Sequence, residues 1–267
     1  MAFEDILYEK RDGVATITIN RPKVLNAFRA ETVEEILSAM RDAEDDRAIG
    51  VIVLAGAGER AFCSGGDNSA RASGAEQEGG YGGRGLVGLP IEELHSAIRD
   101  SRKPVIAKVQ GYAIGGGNVL ATVCDLTIAS EKAVFGQVGP RVGSVDPGWG
   151  TAYLSRLVGE KRAREIWFLC RRYTAAEAFQ MGLVNKVVPA EQLDAEVEAW
   201  CQEILALSPT AIAIAKRSFN ADSENIRGIG ALGLESLALY YDTDEAKEGT
   251  TAFLEKRRPD FRGKGRR

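Results

Sequence analysis

The sequence predicts an α/β protein, and three observations predict it. Short apolar runs are followed by small-residue turns and then by segments of helical periodicity, about three times over. The runs are too continuous for half-exposed strands, and the chain after Pro147 is mostly helical. Residues 14–20 alternate apolar and polar with period two, and Arg11, Asp12 and Gly13 before them read as a hairpin turn back to residues 6–9. Residues 31–46 carry Val33, Ile36, Leu37 and Met40 on one helical face. Residues 51–54 form a strand covered on both sides, and a glycine-rich loop follows. Residues 91–101 are helical, and residues 104–110 form a strand that opens on proline. Residues 115–124 turn into a buried helix, and residues 125–129 form the next strand. Thr174 and Glu177 fit a capping box, residues 183–188 are one last strand, and three helices are expected between residues 190 and 258. No low-complexity linker divides the chain. Residues 1–190 are therefore expected to form the core and residues 191–267 a helical C-terminal subdomain.

Composition narrows the function classes. The 267 residues carry 34 Lys+Arg against 38 Asp+Glu, a net charge of −4 that speaks against a basic nucleic-acid binder. Residues 256–267 are strongly basic, which reads as a solvated tail or as a grip on a polyanionic ligand. No apolar run approaches the ~18 residues of a membrane span, and the opening residues do not resemble a signal peptide. Cys63, Cys124, Cys170 and Cys201 lie far apart, which suits a reducing cytoplasm. The single histidine, His95, excludes a His-rich metal site, so no metal is expected. With Ile91, Leu94 and Ile98 it shares an apolar helix face, where it reads as a packing residue.

Two glycine turns carry the first candidate chemistry. Residues 62–67 follow one strand; Gly115, Gly116 and Gly117 follow another and open a helix. Backbone without Cβ can approach a ligand atom closely, and free N–H groups at a helix start suit a developing negative charge. Taken singly, each is equally a tight turn. Residues 80–85 match the GxGxxG spacing, but no strand precedes them, so the dinucleotide reading fails its context.

Four segments in order carry a resemblance: Asn20, Arg21 and Pro22 with Leu25 to Phe28; residues 61–67; residues 111–117; and Cys124, Asp125 and Leu126. On these the chain resembles the crotonase superfamily, the enoyl-CoA hydratase/isomerase relatives, from about Phe3 to Phe261. The resemblance implies a crotonase (ClpP-like) spiral of repeated strand–strand–helix units, with a helical C-terminal part that makes trimers, commonly paired into hexamers. It implies an acyl-CoA substrate whose thioester oxygen sits between the N–H groups of Gly66 and Gly116. Ser64, Gly65, Asp67 and Asn68 would border the acyl group. Lys23, Val24 and Leu25 would border the nucleotide end, with Lys256 placed for a CoA phosphate. CoA belongs to the substrate, and no tightly bound cofactor is implied. Enolising a thioester places charge on its oxygen, and losing one aimed donor typically costs ~3–4 kcal/mol of transition-state stabilisation.

Other residues set the reaction. Hydratases of the superfamily use two glutamates, and the matching positions here are Val119 and Gly139, neither of which can move a proton. Ser144 and Asp146 stand two apart, so an extended segment would put them on one face. From the residues alone Asp146 reads equally as a cap for a helix over residues 148–157. Residues 143–150 resemble the catalytic loop of the 1,4-dihydroxy-2-naphthoyl-CoA synthases, which condense, and of the 2-ketocyclohexanecarboxyl-CoA hydrolases, which cleave with water. Residues 85–100, 115–122, 144–148 and 239–245 resemble the hydrolases more closely. Gln137, Gly139 and Trp149 stand on the synthase side, as a trio that in many synthases holds bicarbonate acting as base. Tyr241 matches a tyrosine that reaches the active site, often from a neighbouring subunit; otherwise it reads as an interface tyrosine. The expected function is hydrolytic ring cleavage of a cyclic β-keto acyl-CoA, with Asp146, Ser144 and Tyr241 as its catalytic residues. A non-catalytic acyl-CoA scaffold is the alternative from another class.

Overall fold

In β1 (Ile6–Arg11) and β2 (Val14–Ile19) the alternating pattern becomes an antiparallel hairpin in which Arg11 faces Val14. Asp12 and Gly13 between them both adopt positive φ, the turn whose twist matches that of paired strands. The structure, a computed structural model, describes residues 3–75 and 80–263. Helix α1 (Ala30–Asp45) buries Val33, Ile36, Leu37 and Met40 and carries the chain over to β3 (Val51–Gly56), which lies parallel to β2 and is buried at every position.

From β3 onward the chain repeats one device: a long strand enters a first sheet, a three-residue strand enters a second, and a helix follows. β4 (Ala61–Cys63) precedes α2 (Asn68–Ala75) and α3 (Ile91–Asp100); β5 (Val105–Val109) and β6 (Tyr112–Ile114) precede α4 (Gly116–Val123). β7 (Leu126–Ser130) and β8 (Val134–Gly136) begin the third round. A π-helical turn over Trp149–Tyr153 then runs into α5 (Leu154–Val158) and α6 (Glu160–Leu169). β9 (Arg172–Thr174), α7 (Ala175–Gln180) and β10 (Lys186–Val188) complete the core. The first sheet has the order β1-β2-β3-β5-β7-β10 and the second β4-β6-β8-β9. Phe62, Leu120 and Phe135, all fully buried, help fill the core between them. The α/β expectation and the strand–strand–helix spiral hold, and the Thr174–Glu177 capping box is present.

Two expectations are corrected, and one set of elements had gone unread. The second sheet was not legible strand by strand, because three-residue strands show no period. The last strand is shorter than residues 183–188, starting at Lys186 because Asn185 bonds Thr127 through side chain and backbone instead. Four helices, not three, follow: α8 (Leu193–Leu205), α9 (Pro209–Asp222), α10 (Asn225–Tyr241) and α11 (Asp244–Leu254). Ser208, with Pro209 in the first turn, caps α9, and Thr243, with Asp244 and Glu245 after it, caps α11; both starts divide the segment into more helices than expected. α9 is bolted to the core by Lys216, whose buried Nζ donates to Ile98 O, Lys103 O and Asp125 Oδ2. Among the described residues no helix is long and apolar enough to cross a membrane.

Candidate active site

Peptide planarity aims the two glycine turns. Gly65 O accepts Phe28 N–H at 2.9 Å, so the N–H of Gly66, on the other side of the same trans peptide, points away from Phe28. Gly115 O accepts Val119 N–H at 3.1 Å as α4 starts, which likewise turns the N–H of Gly116 out of the helix, where no helical carbonyl can accept it. The turns touch: a Cβ at Gly65 would lie 2.9 Å from Gly116 N, and one at Gly116 would meet the Phe28 ring at 2.6 Å. Only glycine permits this approach.

A cavity of about 90 Å³ opens onto both turns. Facing them is the loop that ends β8's excursion, in which Ser144 N–H donates to Gly139 O at 2.9 Å. Ser144 Oγ and Tyr241 OH share a hydrogen bond of 2.8 Å within one chain, so the phenol needs no neighbouring subunit to reach the pocket. Asp146 accepts Gly150 N–H at 2.9 Å through Oδ1. Asp146 thus accepts a hydrogen bond from the first π-helical turn and lines the cavity, largely buried. Burial pushes its pKa up to about 7, with only the Gly150 N–H opposing. Asp146 is the sole carboxylate among the described lining residues.

The structure brings Ser64, Gly65, Gly66, Asn68, Gly116, Gly139, Ser144, Asp146 and Tyr241 to this one cavity. Trp149 is a correction: it is buried away from the cavity, edge-on to Tyr153 and under the Arg99 guanidinium, so it is core. Trp167 takes its place, lining the cavity 3.0 Å from where a Gly139 Cβ would sit. Its indole N–H donates to Gly150 O. Asp67 is also corrected. Its carboxylate turns from the cavity to Arg21, at 3.0 Å, and caps α2 through Ser69 N–H. Lys23, Val24 and Leu25 form a short turn beside the cavity rim, tied in by Ser64 N–H donating to Leu25 O. Lys256 is exposed at the end of α11 and does not line the cavity. Residues 264–267 of the basic tail lie outside the described residues.

Arg71 and Tyr81 are among the lining residues missed from sequence. Arg71, buried on α2, donates to Val142 O, Gly143 O and Thr250 Oγ1 and lies 4.9 Å over the Tyr241 ring. Tyr81 sets its hydroxyl against Gly66, and burial holds the phenol above its ordinary pKa. Arg71 lies on α2 and Tyr81 in the loop before α3, within one glycine-rich stretch that concealed any periodicity. That loop closes on itself: Tyr81 N–H donates to Val87 O and Gly83 N–H to Gly88 O, both at 3.0 Å. His95 is buried on α3, as its apolar face predicts, but its Nε2 has no partner among the described residues.

A sequence model described as enoyl-CoA hydratase/isomerase matches residues 9–264. Among solved structures, an enoyl-CoA hydratase from Mycobacterium avium subsp. paratuberculosis is 31% identical with a TM-score of 0.85, covering 98% of this chain and 100% of its own. A carnitinyl-CoA hydratase from Mycobacterium avium is 28% identical with a TM-score of 0.83 over the same shares. An enoyl-CoA hydratase subunit from Geobacillus kaustophilus is 33% identical with a TM-score of 0.75, covering 98% of this chain and 99% of that one.

Proposed function

The chain belongs to the enoyl-CoA hydratase/isomerase family of acyl-CoA-processing enzymes, and from that premise we propose that it cleaves the ring of a cyclic β-keto acyl-CoA with water. The preferred substrate is 2-oxocyclohexane-1-carboxyl-CoA and the product pimeloyl-CoA. The observation that carries this reading is Asp146, the single carboxylate among the described lining residues, with a pKa near neutrality, opposite the two glycine N–H groups and beside the Ser144–Tyr241 hydrogen bond. The relatives named as hydratases do not set the reaction here, because Val119 and Gly139 leave no pair of glutamates to add water across a double bond.

With a pKa of about 7, roughly half of Asp146 is ionised at neutral pH, which suits a base. It takes one proton from water as the water oxygen bonds to the ring ketone carbon. Ser144 donates to the resulting alkoxide. Collapse breaks the bond from that carbon to the α-carbon, and the electron pair passes into the thioester, whose oxygen Gly66 and Gly116 hold. Tyr241 delivers a proton to the α-carbon and recovers one, relayed by Ser144, from the new carboxyl group, while Asp146 releases the proton it took from water to solvent. The new carboxyl group leaves as carboxylate.

One observation favours a second reading. Gln137 Nε2 is buried without an acceptor among the described residues, next to Gly139 and Trp167. Gln137 Nε2 would donate to a small anion walled by Gly139 and the Trp167 ring, and bicarbonate there would supply the base of a naphthoyl-CoA-type synthase. Incubation with 2-oxocyclohexane-1-carboxyl-CoA in heavy-oxygen water, followed by mass spectrometry, separates the two. Pimeloyl-CoA with one heavy oxygen in its new carboxylate supports hydrolysis. Untouched substrate, with bicarbonate-dependent turnover of o-succinylbenzoyl-CoA, replaces it with the synthase. Tight binding of both thioesters without turnover leaves a scaffold.

A further inference from the structure

We propose that Arg21 is a positioning residue for the thioester-oxygen site, acting through Asp67 and the backbone of residues 27 and 28. This rests on reading Gly66 and Gly116 as that site.

The direction of the Gly66 N–H depends on a short ladder between residues 27–28 and the glycine turn. Phe28 N–H donates to Gly65 O at 2.9 Å, and Asp67 N–H donates to Phe28 O at 2.8 Å. Two hydrogen bonds exchanged by one residue are a weak fixture for a catalytic donor. Arg21 pins both sides of it. One guanidinium nitrogen, Nη1, donates to Ala27 O on one side and to Asp67 Oδ2, at 3.0 Å, on the other. Asp67 is the residue that follows Gly66, so its orientation and that of the Gly66 peptide are coupled.

Arg21 is itself fixed from behind. Its Nε lies 3.4 Å from Asp5 Oδ2, and Asp5 is buried among Arg29 Nε at 2.8 Å, Arg29 Nη2 at 3.0 Å and Thr32 Oγ1 at 2.5 Å. Burial alone would raise the Asp5 pKa, but these donors and the two arginine charges bring it below its ordinary value, so the anchor stays charged at neutral pH. Arg29, Asp5, Arg21 and Asp67 thus form a row of alternating charge from the N-terminal hairpin to the oxyanion turn. Arg21 and Asp67 retain little exposure, 16% and 12% of their side chains. A planar fork that reaches Asp5 through Nε while Nη1 grips the Ala27 carbonyl and the Asp67 carboxylate is a task that lysine performs poorly.

A positioning role makes a prediction that a merely stabilising one does not. Arg21→Met should still bind the thioester but no longer favour its enolate. The probe is acetoacetyl-CoA, whose enolate has its own ultraviolet band and which requires no ring cleavage. The native protein is expected to raise the enolate fraction of bound acetoacetyl-CoA. R21M should lose that rise and about 30-fold or more in kcat, with KM within about threefold, in line with a misaimed donor. R21K should recover only part of both. Asp67→Asn keeps an oxygen for the Ser69 N–H and so preserves the α2 cap while removing the charge, and it carries the test should R21M fail to fold. Its expected loss is about tenfold in kcat. A native-sized enolate band and native kcat in R21M or D67N would overturn the proposal, as would a loss confined to KM. If the native protein itself produces no enolate band, the oxyanion reading falls with it. A band without ring cleavage removes only the proposed substrate and leaves Arg21 in place.

Discussion

Asp146 shows how one residue satisfies two demands at a cost in stability. Its pKa of about 7 in the fold stands above the ordinary 3.8. Between those values the native state holds a proton that the unfolded chain releases, so stability falls as pH rises through that interval and stays reduced above it. Asp146→Asn should therefore unfold at higher urea at pH 8, by on the order of 2 kcal/mol after allowance for its partial exposure to the cavity, and show no gain at pH 3.5. The same variant should lose about a hundredfold or more in turnover. In the native enzyme kcat/KM should climb with pH to a plateau with a midpoint near 7, since the base must be ionised, and a flat profile would remove Asp146 from that role. Gly66→Ala should cut turnover by a comparable factor, because its methyl group would displace the Tyr81 hydroxyl. At this scale the sequence was legible in placing Ser144 and Asp146, two residues apart, on one wall of the cavity, while their proposed chemistry came from the resemblance. It was misleading for Trp149 and Trp167, because either indole suits an apolar helix. Only the register of the π-helical turn decides which one meets Gly139.

Among the elements, α3 carries a pH sensitivity of the opposite sign. Burial lowers the His95 pKa to about 3, so below about 6.5 the unfolded chain takes up a proton that the native state refuses. The stability is intact at neutral pH and declines as pH falls. His95→Leu should remove about 2 kcal/mol of the difference in unfolding free energy between pH 7 and pH 5, read from urea transitions at the two values. Long elements were legible because their periods are strong: α1 by its buried stripe, β3 by its unbroken apolar run. Elements of three residues were not, although β4 and β6 deliver the glycine turns to the cavity. Their pairing is non-local, and a strand of that length is defined by its neighbours rather than by its own side chains. The caps at Ser208 and Thr243 were present in the sequence but lay within helix-compatible stretches on both sides.

Across the whole molecule, the C-terminal helices leave Ile214, Phe219, Leu232 and Leu239 about two-thirds or more exposed. Apolar side chains on consecutive helices suit contact with further copies of the chain. Analytical ultracentrifugation is expected to give a trimer or a dimer of trimers, and Leu232→Glu should shift the mass downward. A monomer at micromolar concentration would contradict this. The helices also serve the chemistry from inside. Leu234, Leu237 and Tyr241 of α10 line the cavity, and Thr250 of α11 receives Arg71 from beneath it. The glycine turns are made early in the chain and the phenol opposite them late, so on the ribosome both sheets can assemble before the reaction chamber has its last wall. A polypeptide released short of Tyr241 would carry the glycine turns proposed to bind the thioester oxygen without the proposed proton donor, and turnover would report that translation had run past that point.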